Sequence, residues 1–279
     1  MKKISRRSFL AAAGLSVAAL ALTACGGSSA STASSVASSA ASSEAASTSA
    51  AAGELTTVEA GKLTMATNAA FPPYEMTTDA GEFEGIDIET AQAIADKLGL
   101  ELQIDDMDFD AALLSVQQGK ADIVMAGVTV TDERKAVMDF SDSYATGIQS
   151  IIVPEGSDIA SPDDLAGKKI GTQRGTTGYI YCSDDFGDEN VVAYDDGLTA
   201  VQALNNGQVD AVVIDNAPAQ EFIAANPGLK ILDTSYAEED YAIGMAKGSS
   251  LEDVVNAALE ELKADGTLQS IVDKYITAE

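Results

Sequence analysis

The stretch Gln118-Gly119-Lys120-Ala121-Asp122-Ile123-Val124 follows an apolar segment with helical spacing and leads into a short apolar run. A glycine at this point is typical of a helix end, and the run after it has the character of a buried strand. The stretch Asn206-Gly207-Gln208-Val209-Asp210-Ala211-Val212 repeats the pattern, too far along the chain for a solenoid repeat. Two similar α/β units would explain the repeat, and a chance likeness between two helix-to-strand loops is the alternative.

Strands and helices alternate on both sides of the first stretch. The spacing predicts a strand over residues 62–67 and a helix over residues 88–98, which Gly99 follows as a stop signal. Short strands alternating with helices favour an α/β fold with mainly parallel pairing. Further predicted segments are strands over 100–104, 121–126 and 169–172 and helices over 111–118, 251–262 and 268–275.

The composition excludes several classes of function. The 279 residues include 44 acidic residues, 16 basic residues and no histidine, for a net charge of −28. Without histidine the chain cannot build a Ser-His-Asp triad or a histidine-bearing zinc site. This acidity, with no basic tract, argues against nucleic-acid binding, which needs a cationic surface.

Four aspartates between residues 105 and 110 form the densest acidic cluster. From Asp106 the spacing mimics the start of a calcium loop, but Ala111 and Gln117 stand where such a loop requires glycine and glutamate. A helix N-terminus, which favours acidic residues, explains the cluster better. No glycine motif for nucleotides occurs, so we expect neither a metal nor a cofactor.

The N-terminal segment is predicted to direct export. Residues 1–24 have the cations and the apolar stretch of a signal peptide, exported by the general secretory or the twin-arginine route. The end of this segment and the two residues after it read Leu22-Thr23-Ala24-Cys25-Gly26. This sequence resembles the lipobox of bacterial lipoproteins, which implies that Cys25 carries a lipid. Residues 25–55 are rich in serine and alanine and predict a flexible tether. We therefore expect a lipid-anchored protein on the extracytoplasmic face of the cell membrane, in which Cys182 has no disulfide partner.

Two segments have the composition of anion-binding sites. The glycine-rich residues 171–178 follow a predicted strand and open a helix, whose N–H groups could bind a carboxylate; a plain turn is the alternative. In residues 129–134, a cap at Thr131 or Asp132 places Arg134 in the first helical turn, where the helix dipole disfavours a cation. An anionic partner would explain this arginine, because a guanidinium pairs with a carboxylate through two hydrogen bonds. A surface salt bridge is the alternative.

The run from Gly127 to Arg134, followed by Met138-Asp139-Phe140-Ser141-Asp142-Ser143-Tyr144, resembles the signature of the polar amino-acid-binding proteins of ABC importers. Four further segments agree in order, and the likeness covers about residues 63–275. They are Phe71-Pro72-Pro73-Tyr74-Glu75, Gly85-Ile86-Asp87-Ile88-Glu89, Asp163-Asp164-Leu165-Ala166-Gly167-Lys168-Lys169 and Val209-Asp210-Ala211-Val212-Val213-Ile214-Asp215.

The resemblance implies two α/β lobes joined by two crossing segments, with an amino acid bound in the cleft. The larger lobe would comprise residues 56–147 and 243–279, and the smaller lobe residues 148–242. One copy of the repeated pattern then falls in each lobe. The resemblance also implies a monomeric receptor without catalysis, whose partners are the amino acid and the membrane permease of an ABC importer.

The resemblance also assigns residues to the α-groups of the ligand. Arg134 would bind the α-carboxylate, with help from Thr129 and the backbone around Gly127. Thr177 would supply a donor from the other lobe. Asp215 would take the α-ammonium, although capping the next helix is an alternative role for it.

The resemblance places four further residues around the ligand's side chain. The rings of Phe71 and Phe109 would flank it, with ordinary core packing as the alternative. Asn68 and Gln173 would make the pocket polar and neutral, which favours a ligand such as glutamine, because the family often has aspartate in place of Asn68. Arg174 would favour an acidic ligand if it turned inward.

Two other functions stay open. An enzyme on the same fold, such as a dehydratase or a cell-wall lyase, would need an acid/base carboxylate in the cleft, for which Glu75, Asp87 and Asp215 are candidates. A lipid-anchored sensor would bind the amino acid without an importer.

Overall fold

The computed structural model describes residues 55–276. The predicted signal peptide, the lipidation site Cys25 and residues 26–54 of the tether lie outside the described residues. The strands are β1 (Lys62–Thr67), β2 (Ala70–Phe71), β3 (Glu75–Thr77), β4 (Phe83–Glu84), β5 (Glu101–Asp106), β6 (Ile123–Val124), β7 (Met138–Phe140), β8 (Ala145–Pro154), β9 (Ile170–Gln173), β10 (Val191–Tyr194), β11 (Ala211–Asp215), β12 (Leu229–Ile231), β13 (Ala237–Tyr241) and β14 (Gly244–Ala246). The helices are α1 (Ile86–Leu98), α2 (Phe109–Gln117), α3 (Asp132–Val137), α4 (Thr177–Phe186), α5 (Gly197–Asn205), α6 (Asn216–Ala225), α7 (Glu252–Ala264) and α8 (Thr267–Tyr275).

Two mixed sheets organise the described chain. The first has the order β5-β1-β6-β14-β7, and the second has the order β10-β9-β11-β8-β12 with β13 also paired to β8. Each sheet contains three parallel strands followed by an antiparallel one, β14 in the first and β8 in the second. The α/β prediction is therefore confirmed, and the antiparallel strands add to the expected parallel pairing.

The repeated pattern marks the same turn in both sheets. Gly119 and Gly207 have positive φ angles of 65° and 66° after α2 and α5, as helix-ending glycines do. The backbone N–H of Asp122 bonds Thr64 O, and its carboxylate accepts the Thr64 N–H at 2.8 Å. Asp210 makes the equivalent pair of bonds with Lys169. Each aspartate thus ties its helix-to-strand turn to the neighbouring parallel strand, β1 in the first sheet and the start of β9 in the second.

The chain enters the second sheet once and leaves it once. It enters along β8 and leaves along β13, and these strands pair with each other, Ala145 opposite Tyr241. The chain then returns to the first sheet as β14, and α7 and α8 pack against α1. The second sheet is therefore an uninterrupted insertion whose two ends are neighbours. The lobe limits expected after residues 147 and 242 lie in or next to these two strands.

Two segments differ in extent from the sequence prediction. The strand expected over 121–126 is only β6, because the chain leaves the ladder after Met125 and turns at Gly127, where φ is 55°. The helix expected from residue 111 begins at Phe109, next to Asp108 at its N-cap position. Within residues 55–276 no helix combines the length and the apolar character that a bilayer crossing would require.

Candidate functional site

One cavity lies at the carboxyl ends of the parallel strands of both sheets, which is where open α/β sheets bind ligands. Its space between atoms is about 430 Å³, including the part open to solvent. All nine residues expected to bind the ligand line this cavity: Asn68, Phe71, Phe109, Gly127, Thr129, Arg134, Gln173, Thr177 and Asp215. The lining also includes Glu75, Gln149, Thr176 and Tyr241.

Arg134 is buried with its guanidinium at the cavity, only 9% exposed. Its backbone N–H donates to the hydroxyl of Thr131, which caps α3. Its Nη1 donates to Thr129 O at 2.8 Å. Its Nη2 donates to Gly175 O at 3.2 Å, and this hydrogen bond connects the side of the first sheet to the side of the second. Burial lowers the pKa of Arg134, and the negative charge of Glu239 opposes this shift. The surface salt bridge considered for Arg134 is not present among the described residues.

Asp215 ends β11 and caps α6. Its carboxylate accepts the N–H groups of Ala217 at 3.1 Å and Ile148 at 2.7 Å. Burial raises the pKa of Asp215 to about 6, and these two hydrogen bonds limit the rise. The capping role considered for Asp215 is therefore real, and the same carboxylate lines the cavity.

The two cavity threonines meet across the cleft. Thr129 follows β6 and Thr177 begins α4, and their hydroxyl oxygens are 3.3 Å apart. Both hydroxyls donate to Glu239 Oε2, at 3.1 Å from Thr129 and 3.0 Å from Thr177. Glu239 lies on β13 and is 6% exposed.

Two amides and two rings form one end of the cavity. Gln173 Nε2 donates to Asn68 Oδ1 at 2.9 Å, and Asn68 Nδ2 donates to Met107 O at 3.0 Å. The rings of Phe71 and Phe109 belong to hydrophobic clusters, so they serve the core as well as the cavity wall. The two amides are neutral hydrogen-bonding groups, and the Arg134 guanidinium carbon lies 5.4 Å from the centroid of the Phe109 ring.

Arg174 lies outside this cavity. Its guanidinium is exposed and is 3.4 Å from Asp195 Oδ1 at the surface. An inward arginine that would favour an acidic ligand is therefore not part of the cavity wall.

Two further buried carboxyl groups belong to this region, Asp87 behind the cavity wall and Glu75 on it. Asp87 accepts the Gly127 N–H at 3.0 Å and the Tyr144 hydroxyl at 2.7 Å, which fixes the Gly127 turn from behind. Burial raises the pKa of Asp87 to about 6, in spite of these hydrogen bonds. Glu75 lines the cavity, and within residues 55–276 no N–H or hydroxyl group donates to either of its carboxyl oxygens. Burial, the charge of Asp87 and a hydrogen bond between the two carboxyl groups raise the pKa of Glu75 well above its usual range.

The sequence did not single out Gln149, Glu239 and Tyr241. All three lie on the antiparallel pair β8 and β13. The β13 sequence Ala-Glu-Glu-Asp-Tyr reads as a solvated acidic segment, and only the strand alternation separates buried Glu239 from exposed Glu238. That alternation is the signal that could have found Glu239.

The sequence model of the bacterial extracellular solute-binding proteins, family 3, matches residues 63–278. A probable histidine-binding protein of Neisseria gonorrhoeae is 32% identical, and the match covers 96% of this chain and 95% of the relative. A solved structure of an ancestral arginine-binding protein bound to glutamine is 42% identical, with a TM-score of 0.75 over 78% of this chain and 99% of the other. Another, bound to arginine, is 43% identical, with a TM-score of 0.74 over 77% of this chain and 98% of the other.

Proposed function

Because this chain belongs to the bacterial extracellular solute-binding proteins, family 3, we propose that it is a receptor that binds one polar amino acid and delivers it to an ABC importer. The observation that carries this proposal is a buried cation and a buried anion, Arg134 and Asp215, on the wall of one cavity. A zwitterionic amino acid supplies the opposite charge to each. The relatives are binding proteins, so catalysis and a sensor without an importer are less favoured.

The α-groups of the ligand follow from this charge arrangement. Arg134 binds the α-carboxylate and Asp215 binds the α-ammonium, with the turn at Gly127 beside them. Thr177 is the first residue of α4, so its N–H has no partner within the helix and can donate to the carboxylate. Thr129 lines the same cavity on the side of the first sheet.

The side-chain end of the cavity favours glutamine as the ligand. Asn68 and Gln173 offer neutral hydrogen-bonding groups, and Phe71 and Phe109 cover apolar methylenes. The ancestral arginine-binding protein of 42% identity binds glutamine in its solved structure, which supports this preference.

Arginine is the second candidate ligand. Glu75 lines the cavity with a buried carboxyl group to which no N–H or hydroxyl group of the described residues donates. The positive charge of a guanidinium would favour the ionised form of this carboxyl group, and its N–H groups would then donate to the carboxylate. Relatives named for arginine also support this candidate.

Isothermal titration calorimetry of the purified protein with L-glutamine and L-arginine tests the proposal. Arg134→Ala should abolish binding of either ligand, because the α-carboxylate would lose its only cationic partner in the cavity of the described structure, while circular dichroism shows a folded chain. Glu75→Gln should lower the affinity for L-arginine and leave the affinity for L-glutamine nearly unchanged. Unchanged affinity in Arg134→Ala would contradict the site.

Closure of the two sheets onto the ligand supplies the signal to the importer. Contacts such as that from Arg134 to Gly175 O join the two sides when the cleft is closed. A ligand that contacts both sides shifts the population towards the closed form, which the permease then recognises.

We also propose that the receptor is a monomer anchored by lipid at Cys25 on the extracytoplasmic face of the membrane. The lipobox-like sequence and the tether composition support this proposal. Incorporation of a labelled fatty acid in cells, lost in Cys25→Ser, would support the anchor. A dimer in size-exclusion chromatography with light scattering would contradict the monomer.

A further inference from the structure

Glu239 occupies a buried position between the two halves of the cavity. Its Oε2 accepts three hydrogen bonds, from the hydroxyls of Thr129 and Thr177 and from Gln149 Nε2 at 3.0 Å. All three donor residues line the cavity, whereas Glu239 lies behind them. Its Oε1 is buried and has no hydrogen-bond partner within the described part of the chain.

The number of hydroxyl hydrogens determines what these threonines can offer a ligand. Each hydroxyl carries one hydrogen and can accept with its lone pairs. When Thr129 and Thr177 both give their hydrogens to Glu239, their oxygens act towards the cavity only as acceptors. They can then bind an ammonium and cannot donate to a carboxylate.

Glu239 accepts no hydrogen bond from Arg134 in the described residues. The Nη1 and Nη2 hydrogen bonds of Arg134 go to Thr129 O and Gly175 O, and the two charged groups form no salt bridge in the described residues. The contribution of Glu239 as an acceptor for hydroxyls can therefore be separated from its contribution as a nearby charge.

We propose that Glu239 is a positioning residue for ligand recognition: it directs the hydroxyls of Thr129 and Thr177 so that they accept from the α-ammonium of the ligand. Carboxylate recognition is then left to Arg134 and to backbone N–H groups such as that of Thr177. The site thereby selects molecules that carry both α-groups over carboxylates that lack the amino group. This inference rests on the proposed amino-acid receptor function.

The first test compares three variants with two pairs of probes. L-glutamine is compared with glutaramate, the same molecule without its α-amino group, and L-arginine with δ-guanidinovalerate. Glu239→Leu removes the acceptor, Glu239→Gln keeps an acceptor oxygen without the charge, and Glu238→Leu is the control on the exposed face of the same strand.

Glu239→Leu should raise the Kd of the amino acid about tenfold or more, as expected for lost hydrogen bonds to a charged group, with little change for the des-amino analogue. Glu239→Gln should recover most of the lost affinity, and Glu238→Leu should match the wild type. Equal losses for both probes, or equal losses in the Leu and Gln variants, would overturn the proposal. A wild-type protein that binds no amino acid would instead refute the receptor function.

A second test covers the case in which Glu239→Leu does not fold. The double variant Thr129→Val, Thr177→Val keeps the side-chain shapes and removes both hydroxyls. It should lower the affinity for the amino acid and spare the des-amino analogue. Adding Glu239→Gln to this background should change affinity no further, and an added loss would overturn the proposal.

Discussion

Arg134 shows how much of the site a single residue can reveal. Its place in the first turn of a short helix is unfavourable for a cation, and from the sequence alone either an anionic ligand or a surface salt bridge explains it. The structure explains how the position is tolerated: Thr131 caps the helix, and two backbone carbonyls accept from the buried guanidinium.

Asp215 leads to a prediction about pH at the same scale. Burial raises its pKa to about 6, and only the ionised form attracts an ammonium. Affinity for the amino acid should be constant above about pH 7 and should fall by up to about tenfold per pH unit well below pH 6, because protons compete with the ligand. Calorimetry between about pH 5 and pH 8 measures this.

Asp215→Asn is the control for this pH effect, because Asp87 also has a pKa of about 6. The variant should bind weakly and with little dependence on pH. A wild-type affinity that stays constant down to about pH 5 would contradict the role of Asp215, and an undiminished pH dependence in the variant would assign the effect elsewhere.

At the scale of elements, the sequence predicts the parallel core better than the crossing strands. β1 and α1 agree with the sequence prediction almost to the residue, because apolar periodicity and a terminal glycine mark them. β13 is not predicted, because three acidic residues in five obscure its alternation, and its burial depends on pairing with the distant β8. Sequence reasoning misses Glu239 for that reason, whereas the nine residues that the family resemblance assigns to the ligand all line the cavity.

The two ends of α1 offer a matched pair of glycine substitutions. Gly85 precedes the helix with φ of 131°, and a Cβ there would be 2.2 Å from Tyr74 O. Gly99 follows the helix with φ of 69°, and a Cβ there would meet nothing within 4 Å. Gly99→Ala should lower the free energy of unfolding by about 1–2 kcal/mol, the cost of the left-handed conformation.

Gly85→Ala should lower the free energy of unfolding by clearly more than Gly99→Ala does, because the backbone atoms of Tyr74 cannot rotate away from the added methyl group. Thermal unfolding measures both variants, with roughly 2–4 °C in Tm per kcal/mol for a domain of this size. Equal Tm shifts in the two variants would show that the contact with Tyr74 O does not determine the cost.

At the scale of the whole molecule, charge is the dominant feature. Four of the 16 basic residues lie before Cys25, so residues 25–279 hold 12 basic and 44 acidic residues, a net charge of −32. The six ion pairs of residues 55–276 are at the surface and contribute little. Self-repulsion therefore opposes the compact state.

Sodium chloride should raise the Tm of the protein, mostly between about 0.01 and 0.15 M, where the screening length falls from about 30 to about 8 Å. The rise should then level off, whereas a general salting-out effect would continue to grow with concentration. A Tm that does not change over the lower range would contradict the importance of self-repulsion.

The second sheet is one continuous insertion that begins with β8 and ends with β13, so recombination can exchange it as a unit. Both junctions lie in one pair of neighbouring strands, so residues 145–241 form a single cassette that can be exchanged with that of a relative. A chimera would keep Arg134 and Asn68 from this chain and take the counterparts of Gln173 and Asp215 from the donor. Ligand preference can thus be shuffled by swapping one continuous piece of gene.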